Sequence, residues 1–295
     1  MPDLSIVIVN YNTRDKLRDC LHSLIQHRGK FDLDIIVVDN DSTDGSVAMI
    51  HETFADEVRL IEPNYNTWFS GGNNRGVRAA TSDIVLLLNA DTLIQSDTLQ
   101  VMYDYLIAQD AVAAVTCRQR HPDGEWLQTC SMQPQYLDLL LGYTGLGIVF
   151  RSLRDKRRLR MWYDGWQRDS NQSVEVAPGS CIMTHRDLLL SFGIFDETLK
   201  LYFTDDDLCR SILNSGQEIH FLADTILLHY EKSSIQGMTS RARQIYFDDM
   251  LVFCRKHYGL WRTLLLTVLH VPTRIAMTIK QKISPFRGFI SSHTK

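Results

Sequence analysis

Two short clusters of acidic and amide residues could carry chemistry in this chain of 295 residues. The first is Asn89-Ala90-Asp91, and the second is Asp205-Asp206-Asp207, preceded by Thr204. Residues at i and i+2 of an extended segment point the same way, so Asn89 and Asp91 can put two oxygen ligands into one small space. Such a pair suits a hard divalent cation such as Mg²⁺ or Mn²⁺. An ordinary Asn/Asp turn after a strand is the alternative.

The first cluster follows a strand that must be buried on both faces. Residues 84–88 are five consecutive aliphatic residues with neither a helical nor an alternating period. This pattern is typical of the central strand of an α/β layer. The change from apolar to acidic residues falls where an open parallel sheet presents its carboxyl ends to a ligand.

Two earlier apolar runs end in the same way. Residues 4–9 are followed by Asn10-Tyr11-Asn12, and residues 33–38 by Asp39-Asn40-Asp41. With the helical segments between them and a short strand at 58–61, they predict a doubly wound α/β layer. Nucleotide sites use such strand ends, because short polar side chains and bare backbone can approach base, ribose and phosphates closely. The chain has no GxGxxG after its first strand and no GxxxxGK[ST], so a dinucleotide oxidoreductase or a P-loop enzyme is not expected.

Composition and charge describe an acidic body with a basic tail. The chain is 44% hydrophobic and 22% charged, as soluble globular proteins are, and its net charge is −4. Residues 239–295 hold ten Lys or Arg against two Asp or Glu, which predicts an anionic surface, lipid or nucleic acid, as partner. Six scattered cysteines predict reduced core thiols. No leader opens the chain and no window reaches ~20 uncharged apolar residues, so a cytoplasmic body is expected.

Six stretches of the sequence resemble the inverting family-2 glycosyltransferases of the GT-A fold, particularly the bacterial rhamnosyltransferase-like branch. The stretches, in order and at family-like spacing, are residues 5–12, 38–46, 71–76, 87–91, 193–197 and 201–209. The resemblance implies an α/β GT-A nucleotide-diphospho-sugar transferase fold, a Rossmann-like mixed sheet flanked by helices, over residues 1–238. Its nucleotide-sugar half would be about 1–118 and its acceptor half about 119–238, with a helical extension at 239–295.

The resemblance also assigns the donor site. Asp91 becomes the first-choice metal ligand. Asn89 stands where a strict DxD motif has Asp, and it is either a neutral ligand or a residue that contacts the ligands without contacting the ion. His229 is assigned to complete the Mg²⁺ or Mn²⁺ site, although a lone His after a strand is also often structural. The residues assigned to the nucleotide sugar are Asn10, Tyr11, Asn12, Asp39, Asn40, Gly72, Asn73, Asn89, Ala90 and Asp91.

Inverting transfer needs one carboxylate that takes the proton from the acceptor hydroxyl. The resemblance places this base at Asp205 and finds Thr204 where the family has Glu. The N-terminus of the helix is expected to keep Asp205 ionised, and Asp206 is expected to face solvent. Without the resemblance, the three acids indicate only favourable charge at a helix start. The residues assigned to the acceptor are Gly179, Ser180, Thr204 and Asp207.

Two further segments are basic. Residues 151–160 follow an apolar run at 137–150 and form either a solvated amphipathic helix or an acceptor flap whose cations meet a lipid diphosphate or headgroups. The tail predicts helices at 241–257 and from 260 to about 282, and Pro272 is expected to break or kink the second. That helix suits the surface of an anionic membrane, and packing against the core or a dimer partner is the alternative.

The resemblance thus implies a metal-dependent, inverting glycosyltransferase of surface polysaccharide synthesis. The expected donor is dTDP-L-rhamnose, with a UDP-hexose second, and the acceptor is a glycan or a lipid-diphosphate-linked glycan. The enzyme would act peripherally at the inner face of the cell membrane, without nucleic acid, as a monomer or a homo-oligomer. Because Asn89 and Thr204 depart from the family pattern, a non-catalytic sugar-nucleotide or glycan-binding module is the competing class. Retention of both Asp91 and Asp205 counts against that class.

Overall fold

A computed structural model describes residues 1–230 and 240–290, with side chains as far as residue 275. The predicted domain boundary at 238/239 lies outside the described residues. The packing of the chain divides it into two units whose bounds differ from those of the predicted domains, because the segment that begins at Pro134 packs with the C-terminal helices. The first unit is Met1–Gln133 with Gly165–Asp249, and the second is Pro134–Asp164 with Met250–Lys295.

The described strands all belong to one sheet of the first unit. They are β1 (Leu4–Asn10), β2 (Leu33–Asp39), β3 (Val58–Ile61), β4 (Ile84–Asn89), β5 (Thr92–Ile94), β6 (Val112–Arg120), β7 (Gln172–Ser173), β8 (Cys181–His185) and β9 (Glu218–His229). Their order is β3-β2-β1-β4-β8-β6-β9-β5, and β7 pairs with β9. β1 runs parallel to β2 and β4, whereas β8 runs antiparallel to β4 and β6. The predicted mixed α/β architecture is therefore confirmed.

The helices alternate with the parallel strands in the first half of the chain. They are α1 (Arg14–Gln26), α2 (Ser46–Thr53), α3 (Trp68–Ala79), α4 (Thr98–Ile107), α5 (Tyr136–Tyr143), α6 (Leu146–Val149), α7 (Arg151–Met161), α8 (Arg186–Ser191), α9 (Thr204–Asn214), α10 (Ser240–Tyr258) and α11 (Leu260–Ile290). Helix α3 lies very close to β1, because a Cβ atom at Gly76 would be 2.2 Å from Cγ1 of Val7. β1 and β4 are buried on both faces, as their unbroken aliphatic runs predict.

The second unit is helical and contains α5, α6, α7, the end of α10 and α11. Helix α11 continues through Pro272 to Ile290, so Pro272 does not break it and the predicted end near residue 282 is wrong. The alternative, a kink at Pro272, stays a prediction. Proline removes one intrahelical hydrogen bond, and a helix of 31 residues keeps the many others. Among the described residues, no helix has both the length and the hydrophobicity that crossing a membrane requires.

Candidate active site at the strand ends

The parallel register brings the first two polar strand ends together. Asn10 lies opposite Asp39, and Asn89 ends the strand on the other side of β1, opposite Val9. Nδ2 of Asn10 donates to Oδ2 of Asp39 at 2.7 Å, and Oδ1 of Asp39 accepts from the backbone N–H of Ser42 at 2.8 Å. The side chains of Asn10 and Asp39 are both buried. Their hydrogen bonds therefore fix a polar floor at this edge of the sheet.

Tyr11 and Asn12 come directly after Asn10 in the chain and are exposed. Asn12 has a positive φ of 54°, a conformation that Asn tolerates better than most residues. Its Oδ1 accepts from the backbone N–H of Thr43 at 2.8 Å, which ties the loop after β1 to the loop after β2. The ring of Tyr11 is exposed, so it is accessible to a ligand.

The predicted residues after β2 and in α3 are more enclosed. Asn40 is buried, and its Oδ1 accepts from Oγ1 of Thr67 at 2.6 Å. A Cβ atom at Gly72 would lie 2.8 Å from Cγ1 of a valine in β1, so the absence of a side chain there serves close packing. Nδ2 of Asn73 donates to the backbone carbonyl of Phe69. Contact of Gly72 and Asn73 with a nucleotide stays a prediction.

Asp91 and His229, the two predicted metal ligands, meet because β5 pairs with β9. Thr92 lies opposite His229 in this antiparallel pair, which places Nε2 of His229 3.2 Å from Oδ1 of Asp91. Nζ of Lys16 lies 3.6 Å from the other carboxylate oxygen. Burial acts to raise the pKa of Asp91, but the hydrogen bond and charge of His229, together with Lys16, outweigh it and hold that pKa below its ordinary value.

Gln119 contacts the other nitrogen of this histidine. Its Oε1 lies 3.0 Å from Nδ1 of His229, and its Nε2 donates to Oγ of Ser180 at 2.8 Å. An amide oxygen only accepts hydrogen bonds, so Nδ1 carries a proton, and Nε2 is the ring nitrogen that faces Asp91. Gln119 is completely buried, which leaves its amide little freedom to turn.

The Asp91–His229 pair fits a divalent cation. A nitrogen lone pair and a carboxylate oxygen 3.2 Å apart need a proton or a cation between them. Two ligands at right angles, each about 2.1 Å from an ion such as Mg²⁺, are about 3.0 Å apart. Within the described residues, no three His, Cys, Asp or Glu side chains are grouped so as to hold an ion.

The predicted base lies at the start of α9. Thr204 is buried and follows Phe203, whose φ of 60° turns the chain sharply into the helix. Oδ2 of Asp205 accepts from the backbone N–H of Gly179 at 3.1 Å, and Oδ1 accepts from that of Asp206 at 3.2 Å. Burial nevertheless raises the pKa of Asp205. This shift is opposite in direction to the one that a helix N-terminus produces.

The neighbouring acids are less accessible than the sequence predicts. Asp206 is half-buried, so its predicted solvent exposure is wrong. Burial and the charge of Asp205 raise the pKa of Asp206 well above its ordinary value, against the attraction of Arg210. The side chain of Gln133 lies against this turn, where it donates to the backbone carbonyl of Asp206 at 3.0 Å and accepts from Nε of Arg210. Asp207 is buried.

Gly179 and Ser180 connect the predicted base to the predicted metal ligands. Gly179 holds Asp205 through its N–H, and the carbonyl of Ser180 accepts from the N–H of Asn89 at 3.1 Å. The hydroxyl of Ser180 bonds to Gln119, which in turn contacts the histidine of the metal pair. Hydrogen bonds, together with the peptide link between Gly179 and Ser180, thus join Asp205 to His229, which faces Asp91.

Two residues of this site were not predicted from the sequence, Gln119 and Lys16. Gln119 lies near the end of strand β6, whose first residues are apolar. A polar residue at a strand end is the pattern that identified Asn10, so this signal could have found it. Lys16 lies in the first turn of α1 among other charged residues, and nothing in the local sequence distinguishes it.

Comparison with known proteins identifies a family. The family model for glycosyl transferase family 2 matches residues 5–191, more than half of the chain. A low-salt glycan biosynthesis hexosyltransferase, Agl10 of Haloferax volcanii, is 26% identical over 74% of this chain and 65% of its own length. The O-antigen biosynthesis protein RfbC of Myxococcus xanthus is 25% identical over 79% of this chain and 18% of its own length. The chain thus spans less than two thirds of these relatives.

A solved structure supports the fold. The mannosyltransferase PcManGT from Pyrobaculum calidifontis, in complex with GDP-Man and Mn²⁺, superposes with a TM-score of 0.55. The superposition covers 99% of this chain and 84% of that one, at 18% sequence identity. The GT-A fold implied by the sequence is therefore confirmed.

Proposed function

The chain belongs to glycosyl transferase family 2, and from this premise we propose that it transfers a sugar from a nucleotide donor to a glycan acceptor with inversion of the anomeric configuration. The observation that supports this proposal best is the series of contacts that runs from Asp205 through Gly179, Ser180 and Gln119 to the Asp91–His229 pair. These contacts hold a base and a candidate cation site in fixed positions, as the displacement of a diphosphate from a sugar carbon by a hydroxyl requires.

The donor nucleotide binds at the strand ends. The buried amide of Asn10 and the carboxylate of Asp39 are fixed by their mutual hydrogen bond and offer defined polar contacts to base and ribose. Asp91 and His229 would hold Mg²⁺ or Mn²⁺, which when bound supplies the positive charge that stabilises a leaving nucleoside diphosphate. Lys16 adds a second positive charge beside Asp91. PcManGT, which shares the fold, was solved with a sugar nucleotide and Mn²⁺.

Asp205 acts as the general base. Its carboxylate takes the proton of the acceptor hydroxyl while that oxygen attacks the anomeric carbon from the face opposite the diphosphate. The new glycosidic bond forms as the bond between the anomeric carbon and the phosphate oxygen breaks, and the nucleoside diphosphate leaves. A raised pKa makes Asp205 a stronger base than an ordinary aspartate, and the N–H of Gly179 orients it.

The substrates follow from the resemblance to the rhamnosyltransferase-like branch. We propose dTDP-L-rhamnose as the donor, with a UDP-hexose as the second candidate. The acceptor is a lipid-linked glycan of surface polysaccharide synthesis, reached at the inner face of the cell membrane. The names of the Haloferax volcanii and Myxococcus xanthus relatives, which refer to glycan and O-antigen biosynthesis, support this class of product.

Calorimetric titration of the full chain with dTDP and with UDP, in Mn²⁺ and in EDTA, tests the proposal. Asp91→Ala should weaken binding in Mn²⁺ by about 100-fold or more and leave binding in EDTA unchanged, since it removes a ligand and no core contact. Asp56→Ala, at an exposed carboxylate, is the control and should match the wild type in both conditions. Equal affinity of Asp91→Ala and wild type in Mn²⁺ would exclude the assigned cation site.

A further inference from the structure

As far as its side chains are described, to residue 275, helix α11 packs against α5 with one narrow side. The buried residues of that side are Thr263, Leu266 and His270. Nδ1 of His270 lies 2.7 Å from the backbone carbonyl of Tyr143, and the hydroxyl of Tyr136 donates to a backbone carbonyl of α11 at 3.0 Å. These contacts at both ends of α5 fix the rotation of α11 about its axis.

The opposite side of α11 is apolar and faces outward. Trp261 is 82% exposed and Val268 is 68% exposed. The other exposed apolar residues of this side are Leu260, Leu264, Leu265, Val271 and Ile275. A surface helix of a globular protein normally turns its apolar stripe toward the core. In α11 the arrangement is reversed, so the stripe is available to a partner.

A second exposed apolar segment lies in the same unit. Ile148 is 79% exposed, and Val149 and Phe150 beside it are exposed as well. Helix α7 follows directly and holds six Lys or Arg against one Asp. None of its residues is buried. Lys156 and Arg158 are exposed on its surface.

Charge separates the two units sharply. The residues of the second unit include 14 Lys or Arg and 3 Asp or Glu, whereas the remaining residues include 17 and 32. The second unit is therefore strongly cationic and the first strongly anionic. Apolar side chains beside many cations are the composition of surfaces that bind anionic lipid. Two copies of so cationic a surface would repel each other, which disfavours self-association through it.

We infer that the outward stripe of α11 and the exposed segment Ile148–Phe150 form a docking surface for an anionic phospholipid membrane. The apolar side chains enter the boundary between headgroups and acyl chains, and the cations of α7 contact the headgroup phosphates. The inference rests on the proposed function for the choice of a membrane as the surface, since a lipid-linked acceptor lies in one.

Co-sedimentation of the full chain with vesicles tests this inference. Vesicles of phosphatidylcholine with phosphatidylglycerol should bind the protein, and pure phosphatidylcholine should bind it much less. The double variant Trp261→Asp/Val268→Asp should bind at least about tenfold more weakly, because charge replaces buried apolar area. The control Ile107→Asp, at an exposed isoleucine of the first unit, should bind as the wild type does. Replacing Lys156 and Arg158 by Ala should weaken binding about fivefold per charge.

Nucleoside diphosphate titration and light scattering make every outcome informative. Unchanged nucleotide affinity in the double variant would show that the first unit is folded, whether or not transfer activity is found. Vesicle binding that is equal in the double variant and wild type, or equal on both kinds of vesicle, would overturn the inference. So would a wild-type dimer that the double variant abolishes while neither protein binds vesicles, because the partner would then be a second copy.

Discussion

Replacing Gln119 by Leu tests whether this side chain positions His229 for a cation. The wild-type amide accepts from Nδ1 of the histidine at 3.0 Å and donates to Ser180 at 2.8 Å. Leucine fills a similar volume but makes neither bond. The imidazole can then turn, and Nε2 is no longer held toward Asp91.

The expected loss of cation affinity follows from what a hydrogen bond to the second nitrogen of a metal-binding histidine contributes. Losing the hydrogen bond that orients a ligating histidine typically costs 10–100-fold in metal affinity, or about 1.4–2.7 kcal/mol. The assay is the ratio of nucleoside diphosphate affinity in Mn²⁺ to that in EDTA, which isolates the part of binding that depends on the cation. Gln119→Leu should lower this ratio about 10–100-fold and leave the affinity in EDTA unchanged. The unfolding free energy should fall by about 1–3 kcal/mol, since the hydroxyl of Ser180 loses a buried partner.

Gln119→Glu is the matched control. Its carboxylate still accepts from Nδ1 of His229, and a carboxylate in this position makes the imidazole a stronger ligand. The ratio should therefore equal or exceed the wild-type value. A wild-type ratio in Gln119→Leu, or equal losses in both variants, would refute a positioning role and leave Gln119 with a structural one.

The remaining predictions concern the base and one ion pair. The amide of Asp205→Asn cannot accept a proton, so the rate of transfer should fall by roughly 10²–10⁴-fold with donor affinity nearly unchanged. Asp206→Asn should lower the rate much less. If Asp206→Asn is instead the more damaged variant, Asp206 and not Asp205 is the base. Burial raises the pKa of Asp205, and only its deprotonated form is a base. Wild-type activity should therefore be lost on acidification with a midpoint above the ordinary aspartate pKa of about 3.9, and a midpoint at or below that value would contradict this. Burial acts to raise the pKa of Asp34, but hydrogen bonds from Arg59 and two hydroxyl groups outweigh it and lower that pKa. The carboxylate therefore stabilises the fold above the unfolded pKa of about 3.9 and loses this contribution as the pH falls through the folded pKa. In denaturant titrations, Asp34→Asn should lower the free energy of unfolding by about 1–3 kcal/mol at pH 7 and by progressively less below pH ~4. A difference that stays constant with pH would contradict this linkage.

The donor half of the fold could be predicted because its determinants are local. A mainly aliphatic run identifies β1, β2 and β4, and the carboxyl ends of such parallel strands meet at one edge of the sheet. This argument predicts that Asn10 and Asp39 lie close together, and the strand register confirms it by placing them opposite each other. Asp91 follows the third such strand and lies near the same edge for the same reason.

The rest depends on pairings between distant segments, which no local pattern encodes. His229 reaches Asp91 only because β5 and β9 pair antiparallel across more than 130 residues of chain. Gln119 joins the site through that same part of the sheet, since β6 lies beside both β8 and β9. Asp206 was predicted to face solvent from its place on a helix start, and the covering residue Gln133 comes from a segment without a recognisable pattern.

Donor hydrolysis is the measurement that tests the central claim most directly. Purified full-length chain would be incubated with dTDP-L-rhamnose, UDP-hexoses and GDP-mannose, and release of the nucleoside diphosphate would be followed in Mn²⁺ and in EDTA. Water serves as the acceptor, so the claim predicts turnover of one donor in Mn²⁺, with loss of turnover in EDTA, in Asp91→Ala and in Asp205→Asn. Turnover that persists in EDTA and in both variants, or failure of every nucleotide sugar to bind in Mn²⁺, would contradict it.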